Sequence, residues 1–344
     1  MIEVSSTSRQ PAREPWTLAR LIHERAIALG FSIDTSTAST YTSALNSYLT
    51  FCKMHDFPIE PTPETLSFFV VYMCHHIKPD SVDSYLSGIC NQLEDHFPDV
   101  RKNRNSRLVS KTLAGCKRRR GTATKRKQPL TTRHLTIVVN WLKDRVARHV
   151  ATHDDFLFVA QLLTGFYALL RLGELTYPDK KALRNPRKVS QRISVSWRES
   201  GYGYFLPSHK ADAFFEGNTL MIEKLDGPAD PYKPFCDYIS SRDKLFPYHP
   251  QLWLRADGSV PTRSWFITRM RKILPDSGIA GQSMRAGGAT RLAESGALPH
   301  IIQAAGRWSS NTFQIYIRKN PVLLQGMIHG RAAFSDPPRA PTRI

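Results

Sequence analysis

The sequence has no apolar run approaching the roughly 20 residues that a membrane-spanning helix needs. Its beginning, MIEVSSTSRQPAREP, lacks the charged-then-apolar layout of a secretory signal. The five cysteines are odd in number and widely spaced, which argues against a disulfide framework and for reduced thiols. We therefore expect no membrane partner and a location inside the cell.

Several catalytic signatures are also missing. The chain has no G-x-x-x-x-G-K-[ST] loop, so nothing in the sequence supports the use of ATP. No cluster of carboxylates indicates a two-metal nuclease, and no two pairs of ligands stand at zinc spacing. The sequence therefore predicts neither a metal nor another cofactor.

The chain is strongly basic. The 344 residues include 48 Lys and Arg against 29 Asp and Glu, a formal net charge of +19. With 41% hydrophobic residues the chain can form a sizeable core, so global disorder is not expected. The charge favours a polyanionic partner, nucleic acid before anionic membrane. Composition alone leaves a repressor, a nuclease and a ribosomal accessory protein open.

Hydrophobic spacing divides the chain into two largely helical domains. Helices are predicted from Trp16 to Cys116, one of them over 63–76 with Thr62 or Pro63 as its start signal. A small β-rich patch interrupts the second helical set, and we predict a turn at Gly201-Tyr202-Gly203. The predicted boundaries are a flexible arm (1–14), a first helical domain (15–116), a basic linker (117–129), a second domain (130–330) and a flexible tail (331–344).

Four segments of the second domain carry residue types suited to phosphate chemistry. Taken alone each is ordinary, since an Arg with a Glu three residues on is common on helices. Together they include Arg171, Arg285, Trp308 and Tyr316. The segments are TGFYALLRLGEL (164–175), QSMRAGGATR (282–291), GRWSS (306–310) and FQIYIR (313–318).

These segments resemble the tyrosine recombinase (phage integrase) family, and its Cre-like subtype in particular, over about 165–320. The long arm and basic linker further suggest a eukaryotic mobile-element recombinase, such as one of the Crypton type. The catalytic pattern of the family falls on Arg171 with Glu174, Lys210, Gln282 and Arg285, Trp308, and Tyr316.

The resemblance implies a reaction without metal or ATP. Tyr316 would attack the phosphorus and hold the DNA as a 3′-phosphotyrosine. Arg171 and Arg285 would clamp the non-bridging oxygens, a task that suits a planar guanidinium. The indole N–H of Trp308 would donate to a phosphate oxygen, and Lys210 would protonate the leaving 5′-hydroxyl.

Two departures from the family pattern stand in this site. Gln282 replaces the His of the His-x-x-Arg box, and an amide can donate a hydrogen bond but cannot act as a base. The spacing from Trp308 to Tyr316 is one residue shorter than in Cre. Glu174 is expected to orient Arg171.

The resemblance also implies a mainly α fold with a small β-hairpin. Its two domains, a helical core-binding domain and a catalytic domain, would form a C-shaped clamp around double-stranded DNA. A monomer or dimer on single sites would become a homotetramer on synapsed DNA. The apolar segment 321–328 either docks on a neighbouring protomer or folds back on its own domain. In a eukaryotic cell, the basic 117–127 stretch predicts the nucleus.

Phosphate contacts are expected from basic residues in the linker and on a predicted helix over 261–274. In the linker they are Lys117, Arg118, Arg119, Arg120, Lys125, Arg126 and Lys127. On the helix they are Arg263, Arg269, Arg271 and Lys272. Three functions fit these residues: a site-specific recombinase, a recombinase-derived protein that binds DNA without cutting it, and a topoisomerase-like enzyme of type IB.

Overall fold

The computed structural model describes residues 13–122, 127–209, 212, 215–275 and 278–310. Its contacts separate two compact units, Met1–Thr124 and Lys125–Ile344. Within the described residues the fold is mainly helical, with one small three-stranded antiparallel sheet. This confirms the predicted fold class.

The first unit is a set of helices packed around an aromatic core. Asp34 and Thr62 begin the second and third helices, since each side chain accepts a hydrogen bond from the first turn. Phe51 and Phe69 meet in the core with ring centroids 5.5 Å apart. The helices are α1 (Leu18–Gly30), α2 (Thr35–Met54), α3 (Pro63–His76), α4 (Pro79–Leu93), α5 (Val100–Arg104) and α6 (Arg107–Arg120).

Two of these helices differ from the prediction. The five-residue α5 was not predicted, because it has a single buried apolar side chain, Val100, and therefore no periodicity. Helix α6 runs four residues beyond the predicted end at Cys116, into the basic stretch. The last turn of α6 is entirely basic, and the negative end of the helix dipole stabilises positive side chains there. In addition, Lys117 pairs with Asp83 at 3.0 Å.

The second unit surrounds α8, whose residues from Leu157 to Phe166 are all buried. A helix that is buried on every side forms the centre of a domain, and the other elements pack around it. The helices are α7 (Thr132–Ala147), α8 (His153–Tyr167), α9 (Leu172–Leu175), α10 (Tyr232–Leu245), α11 (Arg263–Ile273), α12 (Ser283–Glu294) and α13 (Pro299–Ala305). The strands are β1 (Ser196–Arg198), β2 (Gly201–Leu206) and β3 (Asn218–Glu223).

The turn predicted at Gly201-Tyr202-Gly203 is wrong, because these residues belong to β2. The turn lies at 199–200, between the paired residues Arg198 and Gly201. Both glycines are needed for close strand approach: a Cβ at Gly201 would lie 2.1 Å from the carbonyl oxygen of Ile222. Glycine in this strand therefore marks tight packing against β3.

Candidate functional site

The site is built on the end of α8. After Tyr167 the chain passes through Leu169, a buried residue with a left-handed backbone (φ 53°). The backbone N–H of Leu170 donates to the carbonyl of Gly165 at 2.8 Å, which closes the helix end. The carbonyl oxygen of Leu169 then accepts hydrogen bonds from two arginine side chains of the second unit.

Arg171 is held at the start of α9 by Glu174. The Glu174 carboxylate accepts from the Arg171 backbone N–H at 2.9 Å and from its Nη1 at 3.1 Å. Glu174 is buried, whereas 31% of the Arg171 side chain is exposed. The carboxylate therefore fixes the guanidinium while leaving part of it open to a ligand.

Arg285 reaches the same place from α12. This helix approaches the rest of the unit so closely that a Cβ at Gly288 would lie 2.1 Å from the carbonyl oxygen of Phe166. Arg285 is 4% exposed, and its Nη1 donates to the Leu169 carbonyl at 2.8 Å. Its Nη2 donates to the carbonyl of Gly306. The predicted arginine pair, Arg171 and Arg285, thus converges on one short turn.

Trp308 stacks on Arg285. The guanidinium carbon of Arg285 lies 4.3 Å from the centroid of the indole ring. Gly306 makes room for this ring, since a Cβ there would lie 1.6 Å from a Trp308 ring carbon. A cation–π contact of this kind is worth about 0.5–2 kcal/mol. The geometry gives Trp308 a contact with Arg285 that the sequence did not predict.

Arg307 is a third arginine in this site, and sequence analysis missed it. Its Nη2 lies 3.4 Å from Glu174 Oε2 and 3.4 Å from the carbonyl oxygens of Ala168 and Leu169. The missed signal is the short spacing from Trp308 to Tyr316. One residue earlier in the chain, Arg307 has the longer Cre-like spacing to Tyr316.

The interior of this site is poor in solvent. Burial lowers the pKa of the Arg307 guanidinium, while the negative charge of Glu174 acts in the opposite direction. Burial also raises the pKa of the Tyr204 hydroxyl on β2, which Arg307 opposes. Arginine stays protonated under such conditions, so its charge acts through a low dielectric and is felt strongly by a bound anion.

The remaining predicted catalytic residues fall into two groups. Gln282 is the exposed N-cap residue of α12, and its side chain makes no capping hydrogen bond. Lys210 and Tyr316 lie outside the described residues, as does the segment 321–328. The described strands β2 and β3 precede and follow Lys210 in the chain.

The basic residues of α6 have different surroundings. Arg118 and Arg119 are exposed. Lys117 faces Asp80 and Asp83, and Arg120 lies 2.8 Å from the ring Nε2 of His75. Lys127 is exposed, whereas Lys125 and Arg126 lie outside the described residues.

Helix α11 presents three of its four predicted DNA contacts to solvent: Arg263, Arg271 and Lys272. Arg269 differs, because its guanidinium pairs with the buried Asp155 and lies 3.5 Å from Asp154. It also stacks over Trp265 at 5.1 Å. These internal partners favour a role for Arg269 in holding α11 on α8, and its contact with phosphate stays a prediction.

No group of His, Cys, Asp and Glu side chains in the described part of the chain is arranged to hold a metal ion. Over the same residues, no helix has the length and apolar character to cross a membrane.

Solved structures that are similar to this chain include recombinases and integrases. A XerH site-specific recombinase bound to a palindromic difH substrate (post-cleavage complex) matches with a TM-score of 0.59 and 15% identity, over 84% of this chain and 78% of that one. A lambda integrase tetramer bound to a Holliday junction gives 0.53 and 11%, over 87% and 76%. The Tn1549 transposon integrase in complex with transposon right end DNA gives 0.50 and 14%, over 86% and 99%.

Sequence comparison adds no relative: no protein-family model matches the chain, and no curated protein does. The structural likeness nevertheless spans both units. The chain has the tyrosine recombinase fold that its sequence predicted. The Crypton-type origin stays a prediction.

Proposed function

We propose that this protein is a site-specific DNA recombinase that cleaves and rejoins DNA through a 3′-phosphotyrosine on Tyr316. The observation that carries the proposal is the meeting of Arg171 and Arg285 at the Leu169 turn, with Glu174 holding one and Leu169 the other. Arg307 Nη2 lies 3.4 Å from both the Glu174 carboxylate and the Leu169 carbonyl, so the partners that hold Arg171 and Arg285 belong to one site.

The arginines would stabilise charge that develops during the reaction. As Tyr316 attacks, the phosphorus gains a bond and the non-bridging oxygens gain negative charge. Donors already fixed in a solvent-poor site need no reorganisation at that moment, and losing one typically costs about 3–4 kcal/mol of barrier. The hydrogen bonds from Arg171 and Arg285 to their protein partners supply that fixation.

The step balances without an energy source. The bond from the Tyr316 oxygen to phosphorus forms, the bond from phosphorus to the 5′ oxygen breaks, and Lys210 gives that oxygen a proton. The Tyr316 hydroxyl proton leaves to solvent, because Gln282 cannot accept it. The ester conserves the phosphodiester bond energy, so a 5′-hydroxyl of a second strand reverses the step and rejoins the DNA.

The exposed arginines and lysines of α6 and α11 would hold the duplex. Phosphate contacts from these side chains give affinity that falls with salt and does not depend on sequence. Assembly into a tetramer on two duplexes, with 321–328 docked on a neighbouring protomer, belongs to the same proposal. So does a nuclear location in a eukaryotic cell, for which the basic 117–127 stretch is the support.

Covalent capture tests the proposal. The protein is incubated with a library of nicked random-sequence duplexes that lose a short leaving strand after cleavage, and adducts are separated on denaturing gels and sequenced. We expect an adduct from the wild-type protein and none from Tyr316→Phe, which removes the attacking oxygen alone. Salt-sensitive DNA binding without any adduct would overturn the proposal in favour of a protein that binds DNA without cutting it.

A further inference from the structure

Arg307 is more deeply buried than its bonding explains. Its side chain is 10% exposed, against 31% for Arg171. Its hydrogen bonds are long, 3.3 Å to the carbonyl of Ala305 and 3.4 Å to each of three other acceptors. Its Nε has no hydrogen-bond partner in the described structure. Burying a charged donor this way is unfavourable unless a ligand completes its bonding.

The backbone at Arg307 is also strained. Helix α13 ends at Ala305, and Arg307 has a φ of 53°, a left-handed conformation that is unfavourable for a non-glycine residue. This turn sends two consecutive side chains to different partners. Trp308 goes to the guanidinium of Arg285, and Arg307 goes to Glu174.

The excess of positive charge around Glu174 favours an anionic ligand. Arg171 and Arg307 share this carboxylate, which is the one within ion-pairing distance of either among the described residues. One carboxylate cannot neutralise two guanidiniums, so the trio keeps a net positive charge in a buried setting. A phosphodiester carries one negative charge, and its adduct with an attacking tyrosine oxygen carries two.

We propose that Arg307 is a third phosphate-binding arginine of this site and that Trp308 positions Arg285 rather than contacting the phosphate. The inference rests on the proposed function and names a further catalytic residue for it. A guanidinium keeps its charge throughout the reaction, so Arg307 stabilises the phosphate but transfers no proton.

The test compares charged and neutral phosphates. The duplex selected by covalent capture is made twice, once with the ordinary phosphodiester and once with an uncharged methylphosphonate at the cleaved position. Adduct formation is timed for the wild type, Arg307→Gln, Arg307→Lys, Trp308→Phe and Arg198→Gln. The last is the control, since it makes the same charge change at an exposed position of β1.

We expect Arg307→Gln to form adduct about 10²- to 10³-fold more slowly on the phosphodiester. On the methylphosphonate its loss should fall below about tenfold, because a neutral phosphate has less charge for Arg307 to stabilise. Arg307→Lys should lie between Arg307→Gln and the wild type. Arg198→Gln leaves the site intact and should stay within about threefold of wild type. Trp308→Phe keeps a ring that can stack on Arg285 but loses the indole N–H, so we expect a loss that is equal on the two substrates and smaller than that of Arg307→Gln. A Trp308→Phe loss confined to the phosphodiester would mean that the indole N–H contacts the phosphate and would overturn that part of the inference.

Equal losses for Arg307→Gln on the two substrates would make Arg307 a structural residue and overturn the inference, as would an unchanged rate. If Arg307→Gln melts far below the wild type, Arg307→Lys decides instead. A larger loss of rate on the phosphodiester than on the methylphosphonate then supports the inference, and equal losses overturn it. Absence of any wild-type adduct would instead overturn the proposed function, and this inference with it.

Discussion

The carbonyl oxygen of Leu169 organises the site more than any side chain around it. It accepts from Arg285 at 2.8 Å and from Arg307 at 3.4 Å, and it is available because the left-handed residue turns the chain away from the helix axis. Nothing in an apolar leucine signals this role. The sequence could therefore predict Arg171 and Arg285, but not the backbone atom on which Arg285 and Arg307 meet.

The choice between Trp308 and Arg307 shows a second limit at this scale. The resemblance favoured Trp308, because a tryptophan occupies the corresponding place in Cre-like proteins. The spacing from Trp308 to Tyr316 is one residue short, which by itself does not single out Arg307, because adjacent residues at a helix end point in directions that only the turn decides. In the structure Arg307 has a positive φ and its side chain lies near Glu174, whereas Trp308 lies on Arg285, which supports the role proposed for Arg307.

His153 gives the second unit a dependence on pH. Its ring lies 2.9 Å from both the Ser241 hydroxyl and the Leu254 carbonyl, and burial lowers its pKa. The unfolded chain therefore binds this proton more readily than the folded one. We expect the stabilisation to be complete above the unfolded pKa of about 6.5 and to be lost as pH falls toward the folded pKa.

Denaturant unfolding at pH 7 and pH 5 checks this expectation. For the wild type, the free energy of unfolding should be lower at pH 5 than at pH 7. The decrease should be smaller for His153→Gln, which keeps a hydrogen-bonding side chain but has no titrating group. Identical pH slopes in the two proteins would contradict the assignment.

At the scale of elements, amphipathic helices were predictable and close backbone contacts were not. Helix α3 was predicted with its bounds, because Thr62 and Pro63 mark its start and apolar spacing sets its length. The first half of β2 was missed because Gly201 and Gly203 are typical turn residues, whereas in the structure they are required by the close approach of β3. Helix α12 owes its place to the same kind of contact at Gly287 and Gly288.

Gly288 tests whether this packing positions Arg285. The Cβ of Gly288→Ala would lie 2.1 Å from the carbonyl oxygen of Phe166, a backbone atom that cannot move aside cheaply. We expect the variant to lose about 1–3 kcal/mol of stability, the usual result of overpacking, and to form adduct at least tenfold more slowly. Both are measured on one protein, by denaturant unfolding and by covalent capture.

Gly173→Ala is the matched stability control in the same unit, since nothing lies within 4 Å of its added Cβ. It should stay within about 1 kcal/mol of the wild type or become slightly more stable. Equal stability of both variants would contradict the proposed packing of α12.

At the scale of the whole molecule, the formal charge of +19 is divided between residues that face solvent and residues that hold the fold. Helix α11 contains both kinds: Arg271 is exposed, whereas Arg269 pairs with the buried Asp155. Composition could predict a polyanionic partner, but a count of basic residues could not separate these two arginines. Burial and ion pairing do so.

The salt dependence of DNA binding distinguishes the role of Arg271 from that of Arg269. A plot of log affinity against log salt concentration should flatten by about 0.9 for Arg271→Gln, which removes one phosphate contact. Arg269→Gln should leave the slope unchanged and lower the free energy of unfolding, because it removes one of the two arginine partners of the buried Asp155 and leaves only Arg145. The reverse pattern, with Arg269 setting the slope, would contradict the structural assignment.

The chemistry of the covalent link tests the central claim most directly. Adducts from the capture experiment are digested with protease, and the DNA-linked peptide is identified by mass spectrometry. The account predicts a peptide containing Tyr316, joined through its phenolic oxygen to a 3′-phosphate, with a free 5′-hydroxyl on the released strand. A link through another residue, or a 5′-phosphate on the protein with a free 3′-hydroxyl, would contradict it.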